Sequence, residues 1–203
     1  MRTPRLNEDE LREIIAVNGV DSTVVSLVAI RGYYLDSMGE PGQNDRRLYD
    51  DAIFIVHSDG VERYQANTDP NGWRKKTSRR KGMAMLKTGI HIFGKGLHKG
   101  AQAFRQCEPF TVHRDGDGRL DCGFHGINLH SGGYSSTSSL GCQTIPRSTW
   151  KRFKTSLYSL LDEYKNPKRS NDWGHNVRSF DYILLDETER RKGNLITSTR
   201  YIK

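Results

Sequence analysis

The sequence predicts a mainly β domain, β-rich but mixed with α, carrying a front helix and one long late helix. Three observations lead there. Short β-branched or apolar runs recur between residues 23 and 185, most of them bounded by Gly, Asn, Asp or Pro. Apolar residues keep a helical period in only two stretches, 7–18 and 150–164. The chain has 203 residues, 34% hydrophobic and 9% aromatic, enough to bury a core without a metal or disulfide. It reads as a single domain over 1–203, with its core at about 20–186.

Each element has a local reason. Asn7 followed by Glu10 reads as a capping pair, and Leu11, Ile14 and Ile15 form an apolar stripe that Asn18-Gly19 ends. β-Branched density predicts a strand over 23–31, and 52–57 reads as a second, buried strand. Residues 37–42 are loop chemistry, and the acidic pair Asp50-Asp51 reads as a cap or turn. Residues 89–94 and 110–114 are short apolar runs, the second followed by the turn signal Asp115-Gly116-Asp117-Gly118. Residues 126–130 form another strand candidate. Trp150, Phe153, Leu157, Leu160, Leu161 and Tyr164 then recur at helical spacing until Asn166-Pro167 stops them. A last strand over 180–185 precedes a polar tail.

Charge and composition narrow the function classes. Lys and Arg number 32 against 24 Asp and Glu, a net +8 that favours polyanionic partners such as nucleic acid, anionic lipid or an acidic cell envelope. No apolar run reaches the ~18 residues of a membrane span, so no membrane insertion is expected. The segment 1–8 lacks the apolar core of a secretory signal, and the expectation is a chain made in the cytoplasm with no export address of its own. Three cysteines, Cys107, Cys122 and Cys142, leave at least one thiol unpaired, which suits a reducing compartment or a working thiol.

The chemistry concentrates in 126–146. On a strand, alternate side chains share a face, so Ile127 and Leu129 point into the core, with His125 on their side, while Asn128 and His130 point out together. His130 leaves the strand into Ser131-Gly132-Gly133, where a ligand can approach. Gly141 lets the backbone before Cys142 come close to a carbonyl, and the Gly141 and Cys142 N–H groups are candidate oxyanion donors. Cys142 is the nucleophile candidate and His130 its base, with Asn128 placed to orient the ring.

These segments, Asn128-Leu129-His130-Ser131-Gly132-Gly133 and Ser139-Leu140-Gly141-Cys142-Gln143-Thr144, resemble the signature of the L,D-transpeptidases, in the form found in phage proteins. The likeness extends loosely upstream through Asn44-Asp45, Tyr49-Asp50-Asp51 and Asn67-Thr68-Asp69-Pro70. Leu140 stands where the family usually has His, and Gln143-Thr144 where it has an apolar residue and Arg, which removes the usual substrate-carboxylate contact. His130 lies 12 positions before Cys142; His125, at 17, matches another form of the motif, and strand parity favours His130. The resemblance implies a β-sandwich or barrel and a cysteine peptidase or acyltransferase on the stem peptides of bacterial peptidoglycan, without cofactor or metal. Ser139, Gln143 and His125 join Asn128 as candidates for binding or orienting the substrate. It implies either a phage-type lytic peptidase or carboxypeptidase, acting on the wall after release, or a cross-linking or exchange transpeptidase; an injected effector is a further form.

Other readings use the same residues. Cys122, His125, His130 and Cys142 are plausible zinc-ligand types, but parity sends the two histidines to opposite faces and no Cys-x-x-Cys pair is present. Cys142 as a buried packing thiol would leave a non-enzymatic basic binding or phage structural module. The run 74–81 has six basic residues in eight; it reads as a solvated loop or an envelope-binding patch, and without interleaved aromatics nucleic acid is the poorer partner. His98 is a single loop histidine, and Cys107 and Cys122 read as packing residues.

Overall fold

Helix α1 (Glu8–Val17) starts where the Asn7 side chain accepts the Asp9 N–H, and Leu11, Ile14 and Ile15 on its buried stripe seat it on the sheet. Glu10 does not complete the capping box; its carboxylate pairs instead with Arg190 in the terminal helix α3 (Glu187–Arg191), inside the segment expected to be a polar tail. A computed structural model of the chain describes residues 2–78 and 81–196.

The sheet is built from β1 (Ser26–Arg31), β2 (Asp51–His57), β3 (Gly60–Ala66), β5 (Gly89–His98), β6 (Ala101–Gln106), β9 (Asn128–Ser131), β10 (Gln143–Ile145) and β12 (Asn176–Asp186), in the order β10-β9-β6-β5-β12-β1-β2-β3. The short β11 (Lys168–Ser170) hangs on β12, and β4 (Ala84–Leu86), β7 (Phe110–Arg114) and β8 (Leu120–Gly123) make a second sheet. Among the described residues only β1/β12 and β9/β10 pair in parallel. Beyond β3, Asn67 bridges Thr144 of β10, so the large sheet nearly closes on itself. Over the described residues the protein is mainly β, with a nearly closed mixed sheet and three helices.

Alternation along β1 separates two cores. Leu27 and Ala29 face the interior with Phe93, Phe104, Phe180 and Tyr182, whereas Val28 and Ile30 face outward beneath α1 with Phe54 and Ile183. The interior is also filled by Phe110 and Val112 of the second sheet and by Phe153, Leu157 and Leu161 of the long helix α2 (Arg147–Glu163). Truncating one of these, such as Phe153, would cost ~3–5 kcal/mol. The Asn166 signal after α2 works through its side chain. Fully buried, it accepts the Val25 N–H and donates to the carbonyls of Val25 and Ser179, tying the helix end to the sheet.

Strand bounds differ from the expectation in places with clear causes. The first strand begins at Ser26, because Thr23 is held in a turn by Asp21. The strand expected over 126–130 begins at Asn128, since Gly126 adopts φ +69° and turns the chain. The last strand runs eleven residues because its polar N-terminal half pairs with β11, outside the core.

Candidate functional site

The face of the large sheet turned away from the interior carries the candidate residues. β9 and β10 pair in parallel with Thr144 opposite His130, which brings Cys142, just before β10, level with Asn128. Paired residues share a face, so Asn128, His130, Cys142 and Thr144 stand together, while Leu129 and Gln143 point inward. Gln143 is fully buried and accepts a hydrogen bond from the Tyr182 hydroxyl at 2.9 Å. It is an interior anchor rather than a substrate contact, and β10's strand parity puts it there.

His130 is held by one ring nitrogen. Nδ1 lies 2.7 Å from the Ser131 carbonyl oxygen, which only accepts, so Nδ1 carries the proton and Nε2 is left as the basic nitrogen. Burial pushes its pKa down to about 4, helped by His98 and Lys99 and opposed by the Ser131 bond. Its ring lies parallel to that of His98, at 4.3 Å between centroids and 9° between planes. His98 ends β5 at the hairpin tip, and its Nδ1 accepts from Asn128 Nδ2 at 2.9 Å. A lone histidine beside Lys99-Gly100 had no pattern that marked this role; only the β5–β6 hairpin brings it over β9.

Cys142 is half-buried, and its hydrogen bonds run to the backbone rather than to the imidazole. Sγ accepts from the Asn128 N–H at 3.4 Å and donates to the Gly126 carbonyl at 3.7 Å. Burial raises the thiol pKa, against the lowering pull of the Asn128 N–H, Lys99 and Arg105. The thiol and imidazole are therefore both neutral near pH 7, and a reaction here moves the proton during attack rather than starting from a thiolate.

Gly141 is required, though not as an oxyanion donor. It sits at φ +141°, and a Cβ there would lie 2.4 Å from the Ala84 carbonyl oxygen in β4. Its N–H is spent on Ser139 Oγ at 2.9 Å, which corrects the expected role of that donor. Ser139 is buried, and its hydroxyl donates to the Cys142 carbonyl at 2.6 Å, so it staples the loop instead of facing a substrate. Two oxygens on the site face, Asn128 Oδ1 and Thr144 Oγ1, are buried without a hydrogen-bond partner.

His125 belongs elsewhere. With the chain turned at Gly126 it is not on the β9 strand, and its half-buried ring bridges Arg114 Nη2 at 3.2 Å and the Asp121 carbonyl at 3.0 Å in the small sheet. Both ring nitrogens are occupied, so it is not a free base. The parity premise that placed it beside Ile127 fails. Cys122 is exposed on β8, not a packing residue, whereas Cys107 is packed near Gly94 with its thiol pushed up to about 12 by burial. All three cysteines are free, and among the described residues no three His, Cys, Asp or Glu side chains are placed to hold a metal ion. Of the basic run, Arg79 and Arg80 lie outside the described residues; Lys75 and Lys76 are exposed and Lys81 pairs with Asp121.

The upstream Asn/Asp segments form the support of the site loop. Asp51, fully buried, accepts the N–H groups of Gly32 and Thr68, both at 2.5 Å. Arg31 reaches Asp69 at 2.9 Å and the carbonyls of Thr68 and Leu86, and Asn44 also donates to Asp69. From this base Asn67 exchanges two backbone bonds with Thr144, and the Asn71 N–H donates to the Ser139 carbonyl at 2.8 Å. Burial raises Asp50 to about 6 and holds Asp51 well above the usual carboxylate range, the second reinforced by Asp69 and Asp50.

Compared with protein-family models, curated proteins and solved structures, the chain matches none. The site must be read from its own geometry.

Proposed function

We propose that the protein is a cysteine acyl-transfer enzyme that acts on peptidoglycan stem peptides. The observation that carries this is the shared face of β9 and β10, on which Cys142 stands with a neutral His130 whose Nδ1 is tied to Ser131 and whose Nε2 is left unprotonated. In this reading Sγ attacks the acyl carbon, Nε2 takes the thiol proton and returns it to the leaving amine, and a thioester remains on Cys142. Water as acceptor makes a lytic peptidase or carboxypeptidase; an amine makes a transpeptidase. The choice of peptidoglycan rests on the resemblance of 126–146 to L,D-transpeptidases. The +8 net charge suits an anionic envelope.

A competing reading is favoured by the thiol itself: its raised pKa and its backbone bonds suit an inert packing cysteine in a basic binding module. One experiment separates the two. Purified sacculi and a carbapenem-type acyl donor are incubated with the protein and with Cys142→Ala. New muropeptides and an acyl adduct on Cys142, both absent from the variant, support the enzyme. An unmodified Cys142 and an unaltered sacculus support the binding module.

A further inference from the structure

We propose that His98 is a positioning residue of this site, its imidazole holding the His130 ring in the orientation and tautomer that present Nε2 to the thiol proton; the proposal rests on the acyl-transfer reading. His98 is placed with little freedom. It is the last residue of β5 before a two-residue turn, Lys99-Gly100, in which both residues have positive φ (51° and 80°), and it pairs in register with Ala101 of β6. From there its ring covers the face of His130 at 4.3 Å and 9°.

Asn128 ties this stack to the nucleophile. Its Nδ2 donates both to His98 Nδ1 and to the Gly126 carbonyl, at 2.9 and 3.0 Å. That double donation fixes the amide orientation, since a reversed amide would set its oxygen against the Gly126 oxygen. It also fixes His98 as the tautomer with its proton on Nε2. The main-chain N–H of the same Asn128 donates to Cys142 Sγ. Nucleophile and base are thus located relative to each other through Asn128 and His98, and no direct bond between them is needed in the resting protein. Two imidazoles do not stack this closely when both are charged, and the burial that lowers both pKa values keeps that state away.

The test uses the full chain and three substitutions, with acylation of Cys142 by the carbapenem-type donor as one readout and nitrogen–proton NMR of the imidazoles as the other. In His98→Ala the acylation rate at saturating donor falls about 10- to 100-fold, as expected for a reacting group displaced by ~1 Å, while half-saturation is unchanged. His98→Phe, which restores a flat ring against His130, recovers most of the rate; His98→Gln, which restores only an acceptor for Asn128, does not. In parallel, His130 shifts from a single Nδ1–H tautomer to a mixture in His98→Ala and returns in His98→Phe. An unchanged rate in His98→Ala overturns the proposal, as does an equal loss in the Ala and Phe variants with the His130 signals unmoved. A wild-type protein inert to the donor sinks the acyl-transfer reading instead, and the NMR arm alone then decides whether His98 holds the ring.

Discussion

Two buried polar regions meet at the 132–144 loop, and they are built on opposite electrostatic plans. Beneath the loop, Arg31 stands among Asp50, Asp51 and Asp69, and most of their oxygens are spent on backbone N–H groups or on Arg31 and Asn44. On the site face, His98, His130 and Cys142 are uncharged, each ring is held by one nitrogen, and Asn128 Oδ1 and Thr144 Oγ1 have no partner. The first region commits Arg31 and most of its carboxylate oxygens to holding the chain, though Asp50 Oδ1 and Asn67 Oδ1 there also lack a hydrogen-bond partner. The second carries its two unpartnered oxygens on an uncharged face beside a thiol, where a ligand can supply the missing bonds. Stability and chemistry should therefore separate on mutation.

The largest expected effect is chemical. His130→Ala lowers acylation of Cys142 by about 10²–10⁴-fold, the usual contribution of a general base, while loss of its buried, stacked ring costs only about 1–2 kcal/mol in urea unfolding; a variant that still acylates would remove His130 from the chemistry. Arg31→Met inverts that outcome. With the buried Asp69 carboxylate losing its ion-pair partner, it costs ~3–5 kcal/mol in urea unfolding, yet leaves acylation per folded molecule near wild type. Gly141→Ala lies at the junction of the two regions. Strain at φ +141° and the clash with the Ala84 carbonyl cost ~1–3 kcal/mol and displace Cys142, so the melting temperature and the acylation rate fall together.

Proton titration sharpens the contrast further. His130 and His91 have folded pKa values of about 4, below the unfolded value near 6.5, so their contribution to stability is full above that range and is lost as pH falls toward 4. Asp50, raised to about 6, works the other way: its contribution is full below ~3.9 and is lost as pH rises through 6. The two responses oppose each other between pH 4 and 6.5. Asp50→Asn removes one of them, and its melting temperature should fall more steeply than wild type on acidification across that window. Parallel curves would show that Asp50 does not titrate there. The smallest effect belongs to His125→Ala, which loses two ring hydrogen bonds in the small sheet, costs about 1 kcal/mol and leaves acylation intact.

Much of this was legible in the sequence because it is local. The α1 stripe, the α2 period, the Asn166 stop and the β-branched runs depend on neighbours within a few positions. Alternation along 128–130 was enough to put Asn128 and His130 on one face, and it is β10's own parity that turns Gln143 inward. What the sequence did not express was long-range. Nothing local tells that Glu10 meets Arg190 or that the His98 hairpin folds over β9. β4, β6, β8 and β10 are short or polar strands whose pairing comes from neighbours elsewhere in the chain. Gly126, like Glu10 and the Ser139 hydroxyl, was a local signal misread: a glycine before a strand can end the alternation, and the parity of His125 ended with it.

The bridge between Asn67 and Thr144 has a consequence for the order in which the molecule assembles. It joins the two ends of the sheet order, so the near-closure of the sheet is complete only once the strands between those ends are in place. Cys142 lies two residues from that seam, on the approach to a strand only three residues long. A partly folded chain with α1, β1, β2 and β12 already packed has no working thiol, and local fraying of the seam in the native protein silences the site without melting the core. Amide exchange at Asn67 and Thr144 would then serve as the clock of competence: the thiol becomes reactive toward its donor as those two amides become protected.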